Sequence, residues 1–142
     1  MTGYSGTPLA RKLGLKPGYR VKTRHAPANY ERLLAPIPEN VRVSTRFRGP
    51  VDVWHIFAKS RSGLCAVLER AMKEIPPNGA IWVSWPKKRS GVPTDMTEDV
   101  IREAALPLGL VDVKVCAVDD TWSGLKLVIR TGRRSAGRKA VL

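Results

Sequence analysis

The chain has 142 residues, enough for one domain whose core needs neither disulfides nor a metal. Its 25 Lys and Arg against 12 Asp and Glu leave a formal charge of +13, which attracts polyanions and anionic ligands. No apolar run reaches the ~18 residues of a membrane span and 1–11 has no signal core, so no membrane partner and a cytoplasmic setting are expected, while two cysteines without a CxxC and two distant histidines argue against zinc.

A short helix is expected over 7–14, with Thr7 as cap, Pro8 at the first position, Leu9 and Leu13 on one side and Gly14 as the stop. Lys16-Pro17-Gly18 turns the chain into a strand over 19–23. A second short helix over 27–35 offers Tyr30, Leu33 and Leu34 to a core, and Pro36 and Pro38 end it. Residues 41–47 alternate, with Val41, Val43, Thr45 and Phe47 on one face and Arg42, Ser44, Arg46 and then Arg48 on the other. That wet, cationic face suits a strand near a sheet edge, where the arginines either discourage edge pairing or meet a polyanion.

Residues 51–58, VDVWHIFA, are apolar on both faces and read as a central strand, with His55 a satisfied core residue. The next helix carries Leu64, Val67, Leu68, Ala71, Met72 and Ile75 at helical spacing, and Pro76-Pro77-Asn78-Gly79 breaks it. Cys65, like Cys116, reads as a small buried hydrophobe. A strand follows over 80–85, then a loop over 90–96. Thr97 caps a helix whose stripe is Val100, Ile101, Ala104, Ala105 and Leu108, and Gly109 closes it. Strands over 111–118 and 125–130 form a hairpin across a turn at 119–124. Residues 131–142 carry four cations, including Arg133 and Arg134, and little to bury; they read as a basic disordered tail, whose removal leaves the body at about +9.

This order predicts an α/β fold: a single domain over 1–130 with the first helix packed on it, a mainly parallel sheet with helices on both faces, and a C-terminal antiparallel hairpin. Ligands of open parallel sheets bind beyond the carboxyl ends of the strands. To that rim the strands bring Arg24 and His25, then Lys59 and Arg61 at a helix start whose free N–H groups favour anions, then Trp85, Lys87 and Lys88, then Asp120, Trp122 and Ser123. Trp85 and Trp122 are placed to stack on a planar group, and the cations to meet phosphate or carboxylate. The alternative is that the tryptophans plug the rim of the core and the charges are solvated.

Several motifs support a resemblance. They are Gly6-Thr7-Pro8-Leu9 with Lys12-Leu13-Gly14, Lys16-Pro17-Gly18, Ala26-Pro27 with Tyr30, Trp82 with Trp85-Pro86-Lys87-Lys88, Gly109-Leu110-Val111-Asp112-Val113-Lys114-Val115, and Thr121-Trp122-Ser123-Gly124-Leu125-Lys126. On these the chain resembles a bacterial family of small proteins of unknown function, over nearly all its length except the tail. It is remotely similar to the Rossmann-like fold of S-adenosylmethionine-dependent methyltransferases, most clearly in its ending and in "LKPGYRV". It departs from that fold where the cofactor would sit. The loop 23–29 has no glycine, and Arg46 and Arg48 stand where a carboxylate would hold the ribose. The link 47–51 is too short for a helical crossover, so it is either a hairpin or an extended return.

The functional expectation is a non-catalytic module, with no cofactor, that binds an anionic or nucleotide-like ligand at the rim. The alternative is a non-specific nucleic-acid-associated protein using Arg42, Arg46, Arg48, Arg133 and Arg134. An active or degenerate methyltransferase is the third reading, and oligomeric state is left open.

Overall fold

A computed structural model describes residues 7–130, which build a six-stranded sheet in the order β2-β1-β3-β4-β6-β5. The strands are β1 (Arg20–Arg24), β2 (Arg42–Ser44), β3 (Val53–Phe57), β4 (Ala80–Pro86), β5 (Leu110–Ala117) and β6 (Trp122–Ile129). The first four are parallel, and β6 enters antiparallel between β4 and β5. Helices α1 (Leu9–Lys12) and α2 (Tyr30–Leu34) cover one face, and α3 (Arg61–Lys73) and α4 (Glu98–Ala105) the other. The architecture is the α/β one expected. The tail read over 131–142, with Arg133 and Arg134, lies outside the described residues.

Each helix forms where its signals lie. Ser60 and Thr97 cap α3 and α4, their hydroxyls accepting from the N–H groups of Gly63 and Val100. Leu64, Val67, Leu68, Ala71 and Ile75 are buried as their spacing predicts, the larger ones worth on the order of 1.5–3 kcal/mol each before entropy. Cys65 is exposed on α3 and Cys116 is half-buried, so neither is the core hydrophobe expected. Cys65 sits one residue past Leu64, which turns it off the buried stripe. Helix α1 opens at Leu9 with Pro8, not Thr7, in the cap position. Gly14 ends it at φ +74°.

The stretch 41–47 departs from its alternating pattern. Only Arg42–Ser44 pair as a strand, on the outer side of β1. Val41 and Val43 pack on the α1/α2 face, but Phe47 packs on the α3/α4 face. The chain changes face after Ser44 and returns, extended, to the start of β3; of the two forms expected for this link, the hairpin is ruled out. Arg20 holds the return, its guanidinium 4.3 Å from the centre of the Phe47 ring and donating to the carbonyls of Pro50 and Arg48.

Lys22, His55 and Ser84, polar residues buried between these layers, are paired. Lys22, 3% exposed, reaches Glu74 at 2.9 Å, and the indole N–H of Trp54 donates to the same carboxylate oxygen. Burial pushes the Glu74 carboxyl up, but hydrogen bonds from Lys22, Trp54 and Arg70 outweigh it and hold the carboxyl below its ordinary value. On the other face His55 is fully buried. Its Nδ1 lies 2.7 Å from the Tyr30 hydroxyl and its Nε2 2.7 Å from Ser84 Oγ, so both ring nitrogens are satisfied, as the sequence implied. Burial lowers the His55 pKa to about 3 and raises that of Tyr30.

A neutral His55 has a consequence for stability. The unfolded chain binds a proton here below the ordinary histidine value of ~6.5, while the folded chain does so only near 3. Stability from this group is therefore complete above pH ~6.5 and falls as pH drops toward 3. Between pH 6.5 and 5 the loss is about 2 kcal/mol. Urea unfolding of the wild type should show it, and His55→Gln should be nearly flat over the same interval. Equal slopes in both proteins would contradict the assignment.

Candidate functional site: a cationic crevice where the sheet reverses

From β1 the chain passes through α2 on one face to reach β2. From β3, on the other side of β1, it passes through α3 on the opposite face to reach β4. The winding thus reverses between β1 and β3, and no described helix closes the space beyond their carboxyl ends. A cavity of about 500 Å³ lies there, lined by Arg24, His25, Pro27, Phe57, Ala58, Lys59, Ser60, Gly63 and Trp122.

Its floor and wall are aromatic. Phe57 stacks on His55, with centroids 4.3 Å apart, and the half-buried Trp122 meets Phe57 edge-on at 5.0 Å. A column His55–Phe57–Trp122 therefore runs from core to cavity. The turn before β6 aims Trp122. Asp119 Oδ1 accepts from the backbone N–H groups of Thr121 and Trp122 at 2.9 and 2.8 Å. In β6, Gly124 is opposite Ser84, and a Cβ there would meet the Trp82 ring at 3.3 Å, tighter than an ordinary contact, so glycine lets the hairpin pack closely at this position. Above the floor stand the cations Arg24 and Lys59. His25, exposed at the mouth, holds φ +58°, a left-handed conformation that glycine adopts most easily. The loop without glycine thus makes its sharp turn on a histidine.

The structure brings together Arg24, His25, Lys59 and Trp122 of the residues expected at the rim, and separates the others. Trp85 is only 8% exposed and packs in the α3/α4 core, while Trp122 lies on the opposite face of the sheet. The two tryptophans cannot stack on one ligand. Trp85 pairs with Ser123 and Trp122 with Pro86, and neighbouring residues of a strand point to opposite faces. Lys87, Lys88 and Ser123 line a different groove. Arg61 reaches away to Glu103 at 3.3 Å. Asp120 is exposed in the hairpin turn, outside the lining. Nor is the start of α3 an open anion site: the N–H of Arg61 already donates to Asp95 Oδ1, and that of Gly63 to Ser60 Oγ. Arg42, Arg46 and Arg48 are exposed around β2 and the return, away from the cavity.

Sequence reasoning missed Phe57, Ala58, Pro27 and Gly63. Phe57 carried a signal. It stands two residues after His55, so it shares that face, and it is the last large apolar residue before Lys59. The uniform apolarity of 51–58 hid which residue would emerge. Among the described residues no His, Cys, Asp and Glu cluster could hold a metal ion. No described helix is long and apolar enough to cross a membrane.

Trp54, Trp82 and Trp85 are buried, which leaves Trp122 as the tryptophan an aqueous quencher reaches. Iodide, drawn by Arg24 and Lys59, should quench the wild type and Trp85→Phe alike, and Trp122→Phe far less. Undiminished quenching in Trp122→Phe would contradict this geometry.

Comparison with solved structures shows the same fold in proteins of low identity. The Methanococcus jannaschii fibrillarin pre-rRNA processing protein is 12% identical, over 90% of this chain and 71% of that one, with a TM-score of 0.56. Magnesium protoporphyrin IX methyltransferase from Synechocystis PCC 6803, solved with bound SAM, is 11% identical over 87% and 74%, with a TM-score of 0.60. An S-adenosylmethionine-dependent methyltransferase from Clostridium acetobutylicum is 7% identical over 85% and 87%, with a TM-score of 0.59. No curated protein matches the sequence. Residues 48–131, from the return before β3 through the hairpin, match the family described as Protein of unknown function (DUF3052), and the chain belongs to that family.

Proposed function

We propose that the chain is a non-catalytic module that holds an anionic, nucleotide-like ligand in the crevice between β1 and β3. One observation carries the reading: the cavity pairs an aromatic wall, Trp122 and Phe57, with the cations Arg24 and Lys59, and no carboxylate lines it. A planar base stacks on the rings while a phosphate meets the guanidinium and ammonium groups. The volume is within the range of small-ligand sites, ~300–1,000 Å³.

S-adenosylmethionine, the ligand suggested by the fold, does not fit these residues. It carries a sulfonium and an ammonium against one carboxylate, a net positive charge, and the lining offers two further cations and no acid. The loop after β1, 23–29, also has no glycine to let its backbone come close to such a ligand.

Calorimetry tests the reading with adenosine 5′-monophosphate, adenosine 5′-diphosphate and S-adenosylmethionine. A phosphate-bearing nucleotide should bind saturably, and the sulfonium compound more weakly. Arg24→Ala and Lys59→Ala should each weaken the nucleotide roughly tenfold or more while the protein stays folded, the scale of a charge-assisted hydrogen bond. Unchanged affinity in both folded variants, or tighter binding of S-adenosylmethionine, would overturn the proposal.

A second reading rests on Arg42, Arg46 and Arg48, all exposed at the β2 end of the sheet. A nucleic acid held there would bind with an affinity that falls steeply as salt rises, and replacing all three arginines by glutamine would reduce the slope by roughly two to three. A flat salt response would sink this reading and leave the crevice untouched.

A further inference from the structure

The strand at the other end of the sheet is a different kind of surface. β5 is the terminal strand, so among the described residues one of its two edges has no neighbour in the sheet. It is eight residues long, against three for β2 at the opposite end. Near its middle the register slips between Asp112 and Lys114, which makes Val113 the extra residue of a bulge. Val113 and Val115 are exposed at 55% and 49%, with the exposed Lys114 between them. Two grooves meet on Val115, Cys116 and Ala117. One, of about 500 Å³, runs toward α1 and is lined also by Arg11, Lys12 and Lys114. The other, of about 570 Å³, runs toward the turn after β4 and is lined by Lys87, Lys88 and Arg89. Among the described residues no carboxylate lines either groove; on the α1 side the Lys12 ammonium donates to the Ala117 carbonyl and the Lys114 ammonium to the Lys12 carbonyl.

We infer that the outer edge of β5, over 113–117, docks an extended acidic peptide segment of a partner protein, which adds to the sheet as a seventh strand. An unpaired strand edge offers backbone donors and acceptors in the register that an extended peptide needs. The two valines offer apolar contact to alternate side chains of the guest. The cations on both sides select Glu or Asp at the other positions. The same charges disfavour the competing occupants. A second copy would set Lys114, Lys88 and Arg89 against their own kind, and the sequence 131–142 brings four more cations and no acid. A single-stranded nucleic acid would find no aromatic residue in either groove on which to stack a base. The site lies apart from the crevice lined by Arg24, Lys59 and Trp122, and stands whatever that crevice holds.

The test is an amide-resolved NMR titration of the full chain with an acetylated, amidated nonapeptide of alternating Glu and Val. Resonances over 113–117 should move on one saturable curve and their amide exchange should slow, while those of Phe57, Lys59 and Trp122 stay put. Lys88→Glu with Lys114→Glu, both exposed and remote from the core, should weaken binding roughly tenfold. Methylating alternate backbone nitrogens of the peptide removes its strand hydrogen bonds without altering the protein, and should abolish binding. The proposal is overturned by equal binding of the methylated peptide or of a Lys/Val counterpart, by shifts outside the edge, or by no binding at millimolar peptide. It is equally overturned by sedimentation showing a dimer that protects the same amides, or by an oligothymidylate that takes the same residues more tightly.

Discussion

Two right-handed crossovers that leave adjacent strands in opposite directions must put their helices on opposite faces of the sheet. Here those strands are β1 and β3, and the helices are α2 and α3. Neither helix can cover the carboxyl ends of both strands, so a crevice opens between them. Its floor, Phe57, rests on His55, and His55 is fixed by Tyr30 from α2 and Ser84 from β4. One buried histidine thus ties a helix and two strands to the surface that faces the cavity. Because burial keeps it neutral, no charge from below offsets or adds to the cations above.

The crevice meets solvent through Arg24, His25 and Lys59. A surplus of cations spread evenly over a surface would steer any polyanion weakly; a surplus gathered over aromatic rings acts at one place. Further exposed cations stand at each end of the sheet. At β2 the strand is too short and irregular to extend the sheet far, and exposed arginines surround it. At β5 a longer edge carries apolar side chains between lysines. The first arrangement suits a flexible polyanion and the second a guest with a backbone to pair.

Periodicity made the helices and the central strands legible. Leu64 through Ile75 sit on the buried face that their spacing describes, and Thr97 caps the helix it was expected to cap. The strand pattern over 41–47 misled because alternation reports which residues share a side only while the chain stays extended. A turn after Ser44 sends Phe47 to the other face. Trp85 misled for a related reason. Its place at the end of a strand suggested the rim, but β4 continues through Pro86, and parity assigns Trp85 to the α3/α4 core. Trp122 was expected in a turn; it begins β6 instead, because Asp119 shortens the turn by accepting two backbone N–H groups. Residues reached the crevice in the sequence reading when strand order alone decided their place, as with Arg24 and Lys59. Those whose place depends on tertiary contacts, such as Arg61 drawn to Glu103, did not.

The most direct test of the account is a crystal structure of the protein grown or soaked with adenosine 5′-monophosphate. The account predicts the base against Trp122 and Phe57, with the phosphate within hydrogen-bond reach of Arg24 and Lys59. Density for the nucleotide on any other surface, with the crevice holding only water at saturating concentration, would contradict it.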